Sequence, residues 1–159
     1  MSFLKILGAL LVACSGIFVA RSLNSAQRGK LRQLNGVIAF LRFIETNIDA
    51  YSMPLPEILK RCPREIYADC GYSEDNPPSV VKDIFDACML LDGELRRLLD
   101  EFSCEVGRGY RQEQLALLKR TLLVLEERQR LLSSALPGKT RVNAAVCISV
   151  SLSVVILFL

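Results

Sequence analysis

The sequence has 159 residues, a net charge of +3 and a hydrophobic content of 51%, and its length suits a single domain. Histidine and tryptophan are absent, which removes the most common general base and the most common metal-ligating side chain. The small net charge, with no basic stripe carrying interleaved aromatics, argues against nucleic-acid binding, and no glycine-rich phosphate-binding motif occurs. We therefore expect a non-enzymatic protein with no cofactor, no metal and no small-molecule substrate.

Charge is distributed unevenly along the chain. Of the 20 basic and 17 acidic residues, only Lys5 lies outside residues 21–141. The stretches 3–20 and 142–159 are apolar, and each would span ~27 Å as a helix, close to the thickness of a bilayer core. The predicted organisation has three parts: an N-terminal transmembrane anchor at 1–22, a helical domain at 23–140 and a C-terminal transmembrane helix at 141–159.

Basic residues flank both apolar stretches on the side of the central domain. They are Arg21, Arg28, Lys30 and Arg32 after the first stretch, and Lys139 and Arg141 before the second. Lysine and arginine near the ends of membrane spans are retained on the cytoplasmic side. We therefore expect the central domain to be cytoplasmic, with both termini on the opposite side of the membrane.

A second interpretation of the N-terminus remains open. Residues 11–14 read Leu-Val-Ala-Cys and are followed by Ser15, which fits a bacterial lipobox. In that case 1–13 would be a signal peptide, Cys14 would be lipidated, and an exported lipoprotein would have an unrelated helical binding function. The apolar run continues to Ala20, where mature lipoproteins usually turn polar, and this favours the membrane anchor.

The first half of the central domain has helical periodicity and no alternating strand pattern. A helix is predicted over about 27–51, and Glu45 is the only charge on its heptad seam. A short helix is expected at 56–61, after Pro54, and a loop at 70–78. The seam positions of the first helix are Leu31, Leu34, Ile38, Leu41, Glu45 and Ile48.

The second half predicts two further helices. Ser79 is the predicted N-cap of a helix that is interrupted at 92–93 and ends in a tight turn at 107–109. The last helix covers about 110–135, and we expect Pro137-Gly138 to break it. Its seam is Leu115, Leu118, Leu122, Leu125, Gln129, Leu132 and Leu136. Short loops predict antiparallel neighbours, so the expected fold is an all-α antiparallel helical bundle between an N-terminal and a C-terminal transmembrane helix.

The six cysteines include no CxxC pair. Two of them, Cys14 and Cys147, fall in the apolar ends. We interpret the others as small buried residues in a reducing compartment. The alternatives are a disulfide between Cys62 and Cys70, or a redox or metal module that uses these two residues.

Several short motifs occur in an order that resembles the stage III sporulation protein AB family. They are the apolar start over residues 1–23, Glu-Thr-Asn-Ile at 45–48 followed by Pro54-Leu55, Val106-Gly107 with Gln114 seven residues after the glycine, and a leucine-rich helix before an apolar final stretch. Members of this family are components of the channel between mother cell and forespore in endospore formers. The family is similar in fold to the cytoplasmic helical domain of the type II secretion F protein.

The resemblance implies a scaffold that docks a cytoplasmic secretion-type ATPase on the other membrane proteins of the channel. It places the chain in the mother-cell membrane around the forespore, with the bilayer, the channel proteins and the ATPase as partners. The family-motif positions carry over as structural or partner-binding residues: Glu45, Ile48, Pro54, Leu55, Gly107 and Gln114.

Overall fold

The computed structural model describes the backbone of residues 2–158, and the side chains of residues 15, 18, 21–22, 24–138, 145–146 and 149. Every regular element in this part of the chain is an α-helix, which confirms the predicted all-α class. The helices are α1 (Ser2–Tyr51), α2 (Leu55–Arg61), α3 (Arg64–Cys70), α4 (Val81–Ala87), α5 (Gly93–Glu105) and α6 (Arg111–Phe158).

The chain divides into two units, one formed by Gly29–Leu131 and the other by Met1–Arg28 together with Leu132–Leu159. Among the described residues, no helix carries an apolar stretch of the length needed to cross a membrane. The predicted spans at 3–20 and 142–159, and Cys14 within the first, fall largely on side chains outside the described set. Membrane anchoring therefore stays a prediction.

Two helices are longer than the sequence predicts. The first helix, α1, contains the predicted anchor and the predicted amphipathic helix in one element, because neither proline nor glycine occurs over residues 21–27. The last helix, α6, continues through Pro137, so the predicted helix end at 137–138 is wrong. A proline removes one backbone donor, while leucine-rich sequence before it and apolar sequence after it still favour a helix.

The predicted N-cap at Ser79 is one residue too early. Val80 takes that position with an extended backbone, and its N–H donates to the Asp83 carboxylate at 3.3 Å. The interruption predicted around Asp92 is confirmed, since Asp92 is the residue before α5 and has an extended backbone. The segment between residues 80 and 106 is thus two separate helices.

The core of the unit Gly29–Leu131 is built around a chain of aromatic rings. The Phe40 ring lies 6.0 Å from that of Tyr67 and 6.3 Å from that of Phe85, and Phe85 lies 6.0 Å from Phe102. These contacts join α1, α3, α4 and α5. The buried apolar positions of α1 and α6 around them are Leu34, Val37, Ile38, Leu41, Ile44, Ile48, Leu118, Leu122 and Leu125.

Within this unit α1 and α6 run antiparallel. Arg42 pairs with Glu126 at 2.8 Å, and the Gln129 amide donates to the Asn35 side-chain oxygen at 2.9 Å. The earlier residue of α1, Asn35, thus pairs with the later residue of α6, Gln129, which is the order expected for antiparallel helices. Exposed ion pairs contribute roughly 0–1 kcal/mol each, so burial of the apolar seams supplies most of the stability.

Candidate functional site

A groove of about 300 Å³ lies where the end of α1, the start of α2, the turn after α5 and the start of α6 meet. It is lined by Ile48, Ser52, Met53, Pro54, Leu55, Pro56, Gly107 and Gln114. All the family-motif positions except Glu45 are in this lining, although they come from four separate segments. Glu45 is half-buried on α1, one turn before Ile48. Whether these positions bind a partner stays a prediction.

The end of α1 forms one wall of the groove. Ser52 adopts the left-handed backbone conformation, with φ 50°, and its N–H donates to the Ile48 carbonyl at 3.1 Å. This bond closes the helix, and such a position usually carries glycine. Pro54 then directs the chain into α2, where its carbonyl accepts the Glu57 N–H at 3.0 Å.

Arg111, the first residue of α6, ties the start of that helix to the end of α1. Its Nε donates to the Ile48 carbonyl at 3.2 Å, and its guanidinium also donates to the Asp49 carbonyl. The same guanidinium lies 2.9 Å from the Asp49 carboxylate. The last carbonyls of a helix lack a partner within the helix, so Arg111 satisfies the Asp49 carbonyl, which would otherwise depend on water, and gives the Ile48 carbonyl a second donor beside the Ser52 N–H.

The turn after α5 forms the floor of the groove around Gly107. Its φ of 85° belongs to the left-handed region, where a side chain would be strained. A Cβ at this position would lie 3.5 Å from Leu55 Cδ2, so the Leu55 side chain packs directly over the glycine. The Val106-Gly107 motif therefore places an apolar residue of α2 against a bare backbone.

The start of α6 is held by two side-chain bonds. The Tyr110 N–H donates to the Glu113 carboxylate at 3.0 Å, and the Gln114 amide donates to the Gly109 carbonyl at 2.7 Å. Gln114 thus has a structural role in the turn and also lines the groove.

A second hollow adjoins the groove on the other side of Leu55 and Pro56. Its volume is about 190 Å³, and its remaining lining residues are Leu59, Ser79, Val80, Val81, Lys82, Ser103 and Val106. Leu55 and Pro56 therefore form a ridge between two hollows. Such a surface can receive more than one side chain of a partner.

Two large aromatic side chains are left to solvent on the segments that form the groove. Tyr51, the last residue of α1, is 71% exposed, and Tyr110, just before α6, is 84% exposed. Tyrosine is enriched at protein–protein interfaces relative to the rest of the surface. The part of the chain that the structure describes has no cluster of side chains able to hold a metal ion.

The cysteines of the described region do not form the disulfide considered above. Cys62, Cys70 and Cys88 are buried free thiols, and Cys104 is an exposed one. The Cys88 thiol donates to the Cys70 carbonyl at 3.1 Å. Burial raises the pKa of Cys62 to about 11, so at neutral pH it is a protonated thiol and a poor nucleophile. This fits the interpretation of these three residues as structural, whereas the expectation that Cys104 is buried is wrong.

Three contributors to the site were not predicted from the sequence. Ser52 and Met53 carry no turn signature, and Arg111 is a basic residue at a helix N-terminus, where acidic residues are usual. The start of α6 did have a sequence signal. Glu113 lies three residues after Tyr110, which is the spacing at which a glutamate at N3 accepts a hydrogen bond from the N-cap N–H.

The family model for stage III sporulation protein AB matches residues 5–159 of the chain. No curated protein and no solved structure matches it. The match covers every segment of the groove and agrees with the resemblance seen in the sequence motifs. It gives no support to the alternative of an exported lipoprotein lipidated at Cys14.

Proposed function

The chain belongs to the stage III sporulation protein AB family, and we propose that it is a non-catalytic, membrane-anchored scaffold of the channel between mother cell and forespore. In this role the groove docks a cytoplasmic secretion-type ATPase onto the membrane proteins of the channel. The observation that carries the proposal is the convergence of the motif positions on one groove.

The chemistry of the groove supports docking of a protein. Its lining combines the apolar side chains of Ile48, Met53 and Leu55 and two prolines with the polar side chains of Ser52 and Gln114, and exposed tyrosines lie on adjoining segments. Interfaces of this kind derive most of their affinity from a few apolar and aromatic anchors. A side chain inserted beside Leu55 would be shielded from water on several sides.

The anchoring part of the proposal rests on the sequence. The apolar stretches 3–20 and 142–159 would hold the chain in the mother-cell membrane, and their basic flanks would keep the domain on the cytoplasmic side. The fold likeness to the type II secretion F protein that we expect from the family resemblance would suit the same arrangement, with an ATPase on the cytoplasmic face.

Cys104 offers a direct test of the sidedness. It is exposed, whereas Cys62, Cys70 and Cys88 are buried and would respond poorly to any reagent. In a variant that keeps only Cys104, a membrane-impermeant maleimide should label the protein only after the mother cell is permeabilised. Labelling in intact cells would place the domain outside the cytoplasm and would exclude direct contact with the ATPase.

The docking role is tested with matched leucine substitutions. Leu55 lies in the groove, and Leu123 is 69% exposed on α6, away from the groove lining. In purified full-length protein, L55A should weaken binding of the sporulation ATPase by roughly tenfold or more, while L123A should not. In sporulating cells, L55A should prevent channel assembly. Equal binding by both variants at wild-type strength, or no binding by the wild type, would contradict the proposal.

A further inference from the structure

Two buried thiols at the ends of neighbouring helices lie against each other. Cys70 is the last residue of α3 and is 0% exposed, and Cys88 directly follows α4 and is 1% exposed. The Cys88 thiol lies 3.1 Å from the Cys70 carbonyl oxygen, and the two side chains also hydrogen-bond to each other. Neither residue is among those that line the groove, so the pair has no part in the proposed docking role.

The backbones around the two cysteines are also in close contact. A Cβ on Gly71, the residue after Cys70, would lie 2.9 Å from the carbonyl oxygen of Ala87, the residue before Cys88. A disulfide needs Cα atoms within about 7 Å of each other and side chains that meet. The side-chain and backbone contacts of this pair fit that requirement, and both cysteines are at helix ends, where the backbone adjusts more easily than inside a helix.

The other two cysteines of the unit Gly29–Leu131 are poorer partners. Cys62 precedes α3 and Cys70 ends it, so about 10 Å of helix lies between them. Cys104 is exposed on α5, whereas Cys70 and Cys88 are buried. The structure therefore favours a pairing different from the Cys62–Cys70 disulfide considered from the sequence.

The surroundings make Cys88 the more reactive thiol of the pair. Its hydrogen bond with Cys70 and the positive charge of Arg96 lower the pKa of Cys88. Arg96 is held nearby because its guanidinium donates to the Cys88 carbonyl at 3.3 Å. The hydrogen bond with Cys88, together with burial, raises the pKa of Cys70. Because the thiolate is the nucleophile in thiol–disulfide exchange, Cys88 is the thiol that attacks first.

We propose that Cys70 and Cys88 are a redox-active pair, which a low-molecular-weight disulfide oxidises to a bond that joins α3 to α4. The Cys88 thiolate attacks one sulfur of the small disulfide, which forms a mixed disulfide and releases one small thiol. Cys70 then attacks the Cys88 sulfur, and the second small thiol leaves. The protein thiols lose two electrons and two protons, and the small disulfide gains both to become two thiols.

The bond would close the connection between the two helices into a ring. Residues 71–80 form this connection, and α4, which follows it, has only seven residues. A disulfide restricts the unfolded chain more than the folded one, so oxidation should stabilise this part of the bundle. Val80, Val81 and Lys82 at the start of α4 line the second hollow. The redox state of the pair would thus set how firmly one wall of that hollow is held.

The test uses the full-length protein in detergent micelles, with Cys14, Cys104 and Cys147 replaced by alanine. Hydroxyethyl disulfide is the oxidant, and acid quenching, alkylation of the remaining thiols, trypsin digestion and mass spectrometry follow. Trypsin cleaves after Lys82, so the bond should appear as peptide 65–82 linked to peptide 83–96. Linkages of Cys62 should be roughly tenfold less abundant, because the fold holds only the other two thiols in contact.

Two further measurements show that the native arrangement is responsible. In concentrated urea the selectivity should disappear, since distance along the chain then decides the pairing. Without urea, the oxidised protein should melt roughly 5 °C or more above the reduced one. C62A, which removes another buried thiol, should keep this gain, and C88A should lose it, with circular dichroism verifying that both variants fold.

Three results would overturn the inference. They are the absence of the linked peptide from the folded protein, an equal yield of linkages to Cys62, and an oxidised form that melts no higher than the reduced one. The first would show that the thiols do not reach bonding distance. The others would show that the bond forms only after the core is disrupted.

Discussion

The Arg111 guanidinium lies 2.9 Å from the Asp49 carboxylate, and the two residues are joined across the ends of two long helices. Arg111 also donates to the Ile48 carbonyl at 3.2 Å. A positive charge at a helix C-terminus opposes the negative end of the helix dipole. The first residue of α6 therefore caps α1 at the point where Ile48 forms a wall of the groove.

Replacing Arg111 tests this cap. In R111A the carbonyls at the end of α1 lose a charged donor, and Asp49 loses its partner. We expect the free energy of unfolding to fall by about 1 kcal/mol, the value of one charge-assisted hydrogen bond at a half-exposed site. Urea denaturation of the full-length protein in micelles, followed by circular dichroism, measures the change.

R108A is the matched control, because Arg108 is exposed and makes no side-chain bond in the described residues. Its stability should stay within about 0.5 kcal/mol of the wild type. An equal loss in R108A and R111A would show that the effect comes from net charge and not from the cap.

Ser52 holds a backbone conformation that glycine adopts at lower cost. Its φ is 50°, in the left-handed region, and it closes α1 through the bond to the Ile48 carbonyl. We expect S52G to raise the free energy of unfolding by about 0.5–1 kcal/mol, since the strain at Cβ exceeds the added entropy of the unfolded chain. Thermal denaturation detects a gain of this size.

S73G provides the comparison. Ser73 is exposed in the loop before α4 and has no positive φ, so a glycine there only adds freedom to the unfolded chain. S73G should be neutral or destabilising. A loss of stability in S52G would mean that the serine side chain holds the groove wall by another interaction.

Helix type and core positions were predictable from the sequence because they depend on local periodicity. Leu34 and Leu41 on one seam and Leu118 and Leu125 on the other are buried as the heptads indicate. Each seam becomes only partly buried towards its ends, as at Leu132, where fewer helices are available to cover it.

The groove itself was not predictable in this way. Ile48, Leu55, Gly107 and Gln114 meet through turns whose directions depend on single residues. The left-handed serine at the end of α1 is one example, since its conformation follows from packing of the next helix and not from propensity. The motifs identified which positions to examine, and the tertiary structure placed them together.

Gly36 of α1 lies directly against the backbone of α3. A Cβ on Gly36 would lie 2.7 Å from the Asp69 backbone carbon and 2.8 Å from the Cys70 nitrogen. G36A should therefore push the helices apart and lower the free energy of unfolding by about 1–3 kcal/mol, as overpacking does elsewhere. Denaturation of the full-length protein measures this loss.

The matched control is G93A at the start of α5. A Cβ on Gly93 would meet no atom within 4 Å, so alanine should be neutral or stabilising through its better helix propensity. If G36A were as stable as G93A, α1 and α3 would be able to separate at little cost, and Gly36 would not set their distance.

Burial of Cys62 makes the stability of the bundle sensitive to alkaline pH. Burial raises the pKa of this thiol from 9.0 to about 11 in the folded protein. Below pH 9.0 the thiol is protonated in both states, and its contribution to stability is fully present. Between pH 9.0 and about 11 the unfolded chain releases the proton first, so the free energy of unfolding falls as the pH rises.

Removing the thiol should reduce this loss. C62A should be less stable than the wild type at pH 8, because it leaves a small cavity, but its free energy of unfolding should fall less between pH 9 and pH 11. The loss should not vanish, since burial also raises the pKa of Tyr67, which titrates at high pH as well. C104A, which removes an exposed thiol, should keep the wild-type dependence. A parallel decline in C62A and the wild type would show that the folded protein ionises Cys62 as readily as the unfolded chain does.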